Sequence, residues 1–264
     1  MTGAPDPLYV AARHALLDAL QAIHPHLDAV ILVGAQAVYL HAGPGDLAVA
    51  PYTTDGDLAL DPDALGSDPL MGDLLEGAGF SREPDDVGAW KKPVSVDGVD
   101  RAMVVDLLVP EAVGGPGRRG ARIPPHDKRA ARKVSGLEGA LVDRSKFRIG
   151  SLDPSDGRGY DIYVAGPAAL IVAKVTKVAE RVGDSRRQDD KDALDILRLL
   201  QAVPTEVLAG RLRLLLEHRL FRRAADPLLL PGLHQLGRRA RPGRQRLRAR
   251  GPVDHGGHLC ADRG

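Results

Sequence analysis

The sequence predicts an α/β fold of the α+β kind: a sheet with flanking helices, followed by a helical C-terminal part. Three observations carry this. Apolar runs of strand length occur at 29–33 and 102–109, too short for independent helices. Helix-spaced segments precede and separate such runs in the first half. The long helical patterns then gather after Pro167. With 264 residues, 44% of them apolar, the chain is long enough to bury a sizeable core.

Each element follows from local pattern. Residues 8–23 place Val10, Ala11, Leu16, Leu17, Leu20 and Ile23 at helical spacing and stop before Pro25. Residues 29–33 suit a buried strand, and 35–41 read as a helix ending at Gly43. A loop over 43–52 leads to a second strand at 55–61. A helix over 68–78 takes Asp68 as its N-cap and Gly79 as its stop. Strands at 89–96 and 102–109 flank Asp97-Gly98, a strong hairpin signal. Past the flexible Gly114-Gly115-Pro116-Gly117, short strand-like pieces include 139–142 and 146–149. Pro167 opens a helix to about 182, since proline suits the first helical turn. A further helix spans 189–201 before Pro204. The organisation is therefore a sheet core over 1–113, a basic loop with additional strands over 114–166, a helical part over 167–216 and an irregular basic tail over 217–264. The tail reads either as a basic segment contacting RNA or a partner, or as a shifted reading frame of GC-rich DNA.

Composition narrows the function classes. Cys260 is the sole cysteine, so no intramolecular disulfide or cysteine-based zinc site forms, which fits a reducing cytoplasm. Residues 1–7 lack the regions of a signal peptide, and no apolar run reaches membrane-spanning length. The net charge of +1 is split: residues 238–264 carry +6, leaving the body at −5. Within that acidic body, residues 118–148 hold ten Lys/Arg against Asp127, Glu138 and Asp143. That excess suits either an RNA backbone or a solvated loop and strand pair. The histidines lack metal-like spacing, and Gly114–Gly120 lacks the Gly-Lys-Ser/Thr of a P-loop. Trp90, beside Lys91 and Lys92, reads as a rim aromatic or a stacking platform.

The chemistry concentrates in Val33-Gly34-Ala35-Gln36 and Thr53-Thr54-Asp55-Gly56-Asp57-Leu58. Side chains alternate along a strand, so Asp55 and Asp57 project from one face. Two such carboxylates suit Mg²⁺, which takes hard oxygen ligands and keeps room for substrate phosphates. Gly34 lies at a strand-to-helix turn, whose backbone N–H groups can face the same phosphates. A third carboxylate, Asp106, interrupts the apolar run 103–109, a costly position for a charge unless it is paired or metal-bound. If its strand neighbours that of Asp55 and Asp57, three carboxylates converge.

This pattern resembles the nucleotidyltransferase superfamily typified by DNA polymerase β. Pro167 to Lys174, with Lys177, Arg181, Lys191-Asp192 and Asp195, is similar to the helical half of AbiEii/AbiGii-type toxins. The resemblance covers roughly residues 28–201. It implies a mixed polymerase β-like sheet with flanking helices, and an enzyme moving NMP from an NTP to an acceptor hydroxyl. In its toxin-like form the acceptor is the tRNA 3′ end and an antitoxin protein is the partner; relatives modify other RNA, proteins or aminoglycoside-like small molecules, and inactive members bind nucleotide, RNA or a partner without turnover. By position, Asp55, Asp57 and Asp106 would hold Mg²⁺ or Mn²⁺, with Asp106 helping to activate the acceptor. Gly34 and Ala35 would form the phosphate-binding turn and Thr53 would brace the metal loop. Lys174 would contact phosphate, Arg181 and Lys191 would add charge, and Asp195 would order the site. Ala35 stands where a second Gly or Ser is usual, and Gly56 where an apolar residue is usual, which predicts weaker strand packing.

Overall fold

Helix α1 (Pro7–Ala22) opens the chain, its Asp6 side chain accepting the Leu8 N–H as a cap. In this computed structural model, residues 5–43, 53–181 and 191–220 are described. The predicted loop over 43–52 and the tail from 221 onward therefore fall largely outside the described residues. The strands are β1 (Val30–Val33), β2 (Asp55–Leu60), β3 (Ala89–Val96), β4 (Val99–Pro110), β5 (Arg132–Val134), β6 (Arg144–Gly150) and β7 (Gly159–Ala165). They form one mixed sheet in the order β3-β4-β2-β1-β7-β6, with β5 also on β4. β1 is antiparallel to β2 and parallel to β7, and β2 is parallel to β4. The remaining helices are α2 (Gly34–Ala42), α3 (Met71–Gly77), α4 (Pro167–Arg181), α5 (Lys191–Ala202) and α6 (Thr205–Glu217).

The burial follows the patterns that define the elements. All four residues of β1 are buried, as a central strand requires, and pack with Leu16, Leu17 and Leu20 of α1 and with Ile23 just past its end in the main core. The β3–β4 hairpin turns at Asp97-Gly98, both at positive φ, as a two-residue hairpin requires.

Several local expectations are corrected. Helix α3 starts at Met71 with Leu70 as its cap residue, so Asp68 is not the N-cap. Pro69 intervenes, and the residue before a proline is steered away from helical backbone. The piece at 139–142 is not a strand: Glu138–Leu141 is a 3₁₀ turn, and Gly139 there lies against Ala169 of α4. Strands β5 and β7 are not among the elements the sequence singles out, and α6 falls within the helical part predicted to 216. Only Leu208 and Leu215 of α6 are buried. Trp90 is neither rim nor platform. It is fully buried, its Nε1–H donating to Ala130 O at 2.9 Å, with the Arg82 guanidinium 4.4 Å from the ring centroid.

Asp143, which enters the sequence reading only as a charge within 118–148, anchors the helical part. Its carboxylate accepts the N–H groups of Ala168 and Ala169 at the start of α4, each at 3.1 Å, and pairs with Arg211 of α6. A carboxylate at a helix N-terminus meets both unsatisfied donors and the positive end of the helix dipole.

Candidate active site

The parallel register of β2 and β4 sets Asp57 beside Asp106 and Asp55 beside Val104. Asp55, Asp57 and Asp106 therefore project from one face of adjacent strands. Gly56, between the two aspartates, faces the opposite way, into α1. A Cβ there would stand 3.2 Å from Leu16 Cδ1, so the missing side chain admits Leu16 rather than loosening the strand.

Gly34 joins this cluster for two reasons at once. Its φ of +68° is a left-handed conformation that side chains resist, and a Cβ would lie 1.9 Å from Asp57 Oδ2. The Asp57 carboxylate thus sits directly against the first residue of α2. Ala35 occupies the first turn of that helix, half-buried. Thr53 braces the entry to β2: its Oγ1 accepts the Asp55 N–H at 3.2 Å, while Thr54 Oγ1 donates to Asp55 Oδ1 at 3.4 Å.

Electrostatics set Asp106 and Asp55 apart. Burial pushes Asp106 up to about 6, Arg132 opposes the rise, and Asp57 and Asp55 add to it. Asp55 is likewise raised, first by the atoms crowding its carboxyl although the strand end is open to solvent, then by Asp57. Thr54, Lys191 and Lys177 pull the other way. An oxygen-only donor set whose members repel one another is the chemistry a hard divalent cation relieves, and Asp55 and Asp57 fit Mg²⁺ in this sense. The trio is not assembled as an ion cage, however. Among the described residues no group of three or more His, Cys, Asp or Glu side chains is arranged to hold a metal ion. Asp106 instead pairs with Arg132 of β5 at 2.5 Å.

The helical residues form a second cluster. Lys174 of α4 is buried, its Nζ 2.9 Å from Asp192 Oδ1 and 2.5 Å from Asp195 Oδ2. Burial works against its charge, but the two aspartates more than offset it and hold its pKa above the usual lysine value. Lys174 is thus committed to carboxylates rather than aimed at open space. Arg181 pairs with Asp192 at 3.0 Å, and Arg198 with Asp195 at 2.9 Å. Arg198, paired with Asp195, also lies 5.3 Å from the ring centroid of Tyr39 in α2. Among the described residues, the exposed Lys191 and Lys177 bring positive charge to Asp55.

Two supports escaped the sequence. Gln36 of α2 is buried; its Nε2 donates to Asp55 O at 3.2 Å and its Oε1 accepts from Arg13 Nε at 2.9 Å. Arg13 in turn donates to Gly150 O and Tyr9 OH, so α1 fixes the backbone under Asp55. Arg132 is the other. The signal for Gln36 was its place beside the Gly34 turn; nothing local distinguished Arg132 from its basic neighbours.

No family model and no curated protein matches this sequence. Among solved structures, the chain is similar to the solution structure of the antibiotic-resistance factor ANT(2'')-Ia, at 13% identity and a TM-score of 0.41, over 87% of this chain and 97% of that one. Likeness at this level leaves the chemistry of the site to be argued from its own residues.

Proposed function

We propose that this protein is a nucleotidyltransferase that moves NMP from an NTP to an acceptor hydroxyl. The observation that carries the reading is the junction of Asp55, Asp57 and Asp106 on one sheet face with the Gly34 turn at the head of α2. Asp55 and Asp57 would hold Mg²⁺ or Mn²⁺ together with the NTP phosphates, and Asp106 would join them once Arg132 turns away. A bound divalent ion supplies charge neutralisation of the phosphates and a lowered pKa at a coordinated hydroxyl. The first turn of α2, with Gly34 and Ala35, offers backbone N–H groups to phosphate. Thr53 and Gln36 hold the Asp55 backbone in register. Lys177 and Lys191 add positive charge toward the triphosphate, while Lys174, Arg181 and Asp195 keep α4 and α5 positioned around it.

In the reaction the acceptor oxygen attacks the α-phosphorus, and the bond from that phosphorus to the bridging oxygen breaks. Pyrophosphate leaves with the electron pair, and the hydroxyl proton passes toward Asp106. The most concrete version of the acceptor is the tRNA 3′ end, with an antitoxin protein as regulator; a protein or an aminoglycoside-like small molecule is the alternative. Transfer of label from α-³²P NTPs is measured against separate tRNA, protein and aminoglycoside pools. We expect label in one pool, abolished by Asp55→Ala/Asp57→Ala. Label in no pool, or label that survives the double variant, overturns the reading.

A second reading rests on the Arg132–Asp106 and Lys174–Asp192/Asp195 pairs, which occupy residues expected at the chemistry. The same fold would then bind nucleotide, RNA or a partner without turnover. Tight Mg²⁺-dependent NTP binding with no transfer in any pool favours it.

A further inference from the structure

Of the ten basic residues between 118 and 148, the structure separates those already answered from those left open. Arg144, Lys146 and Arg148 on β6 pair with Asp61, Asp28 and Asp161. Arg132 is held by Asp106, and the Arg129 guanidinium by the carbonyls of Glu83, Pro84 and Asp86. Lys133 donates to the carbonyls of Gly115 and Gly117. Arg118, Arg119, Arg122 and Lys128 are exposed and have no ion pair among the described residues. Three of them, Arg118, Arg122 and Lys128, line one open cleft of about 240 Å³ together with Arg129, Val87 and Gly120.

A single residue, Arg132, links this cleft to the Asp106 carboxylate. Gly120 bridges to Arg132, the residue paired with Asp106. Val87 precedes Gly88, whose N–H donates to Arg129 O at 3.0 Å and whose carbonyl accepts the Leu107 N–H at 2.7 Å. Ala89, next in the chain, stands opposite Asp106. The cleft wall and the Asp106 neighbourhood are thus stitched together through 87–89, 120 and 129–132.

We propose that this cleft binds the sugar-phosphate backbone of single-stranded RNA and leads its terminal hydroxyl toward Asp106; the delivery of the hydroxyl rests on the nucleotidyl-transfer reading above. Three cations with no ion pair among the described residues, set around a concavity, are complementary to successive phosphates, in a body that is otherwise acidic. Aromatic side chains make up only 3% of the chain and Trp90 is buried, so backbone charge rather than base stacking carries recognition.

The test uses the full chain and a fluorescein-labelled single-stranded RNA with a free 3′ hydroxyl, titrated across a salt series. Arg118→Gln/Arg122→Gln/Lys128→Gln should weaken RNA binding by about tenfold or more. The same variant should lower the slope of log affinity against log salt by about 2, since each phosphate neutralised on a single strand adds about 0.7. NTP binding should be unchanged in this variant, and Arg118→Lys/Arg122→Lys should retain RNA binding. Parent-like RNA binding by the triple glutamine variant overturns the cleft assignment. So does displacement of the RNA by poly-glutamate at equal charge concentration, which would make the cleft a surface for acidic protein. Absence of label transfer to RNA whose binding still depends on these three residues overturns the transfer reading instead.

Discussion

Lys174 illustrates how a residue's surroundings decide its role. A cationic helix residue near a phosphate motif invites a phosphate-binding role, yet its ammonium lies between two buried carboxylates. Removing one partner of such a cluster leaves charges buried without compensation, which typically costs about 3–5 kcal/mol. Lys174→Met should therefore lower the urea unfolding free energy by about 3 kcal/mol, the low end of that range, because Arg181 and Arg198 still answer Asp192 and Asp195. An unaltered unfolding curve would leave Lys174 free of this structural role. Gly34 lies at the other extreme, since positive φ and the Asp57 carboxylate both exclude a side chain there. The types and spacing of Asp55, Asp57 and Asp106 were legible in the sequence, because a carboxylate in an apolar run announces itself. Arg132, Gln36 and Arg13 were not. Each is an ordinary polar residue until the fold sets it against a partner more than twenty positions away.

At the level of elements, the contact between α1 and β2 governs how firmly the aspartates are held. Gly56 presents bare backbone to Leu16, and a branched side chain would have to displace that leucine from a fully buried position. Overpacking of this kind typically costs about 1–3 kcal/mol. Gly56→Val should lower the thermal midpoint accordingly and, by shifting β2 against α1, reduce the proposed nucleotidyl transfer further than the stability loss explains. A variant with unchanged midpoint and transfer would count against the tight contact. Strands β1 to β4 followed from periodicity and turn chemistry, although β4 begins at Val99, three residues ahead of its predicted start. β7 and the 3₁₀ turn Glu138–Leu141 did not, because their conformation is set by pairing with β1 and β6 and by packing on α4.

Across the whole molecule, stability depends on ion pairs that tie distant segments. Asp18 of α1 is bonded to Arg158 and Lys92, and Asp192 to Lys174 and Arg181; in each case burial opposes the charge but the cations outweigh it, leaving the pKa below 3.8. A carboxylate depressed in the folded state contributes stability that is fully present above its unfolded pKa and is lost as pH falls through the folded value. Lys174, raised above 10.5, contributes below that value and loses its share as pH climbs past the folded pKa. These groups should therefore leave the urea midpoint flat between about pH 7 and 9, above the range near 6 in which Asp106 titrates, and lower it below pH 3.8, with Asp192→Asn reducing the acid-side fall; a midpoint that holds steady into strong acid would contradict this. By itself the sequence determined the α/β order, the carboxylate motif, the Gly34 turn and the basic character of 118–148. These are recorded in local periodicity, backbone demand and side-chain chemistry. Only the tertiary structure decided that Asp106 is answered by Arg132, that Lys174 is enclosed by Asp192 and Asp195, and which basic residues of 118–148 have no ion pair among the described residues. Pairing is governed by distance in space, and the approach of β5 to β4 and of α4 to α5 exists only once the chain has folded.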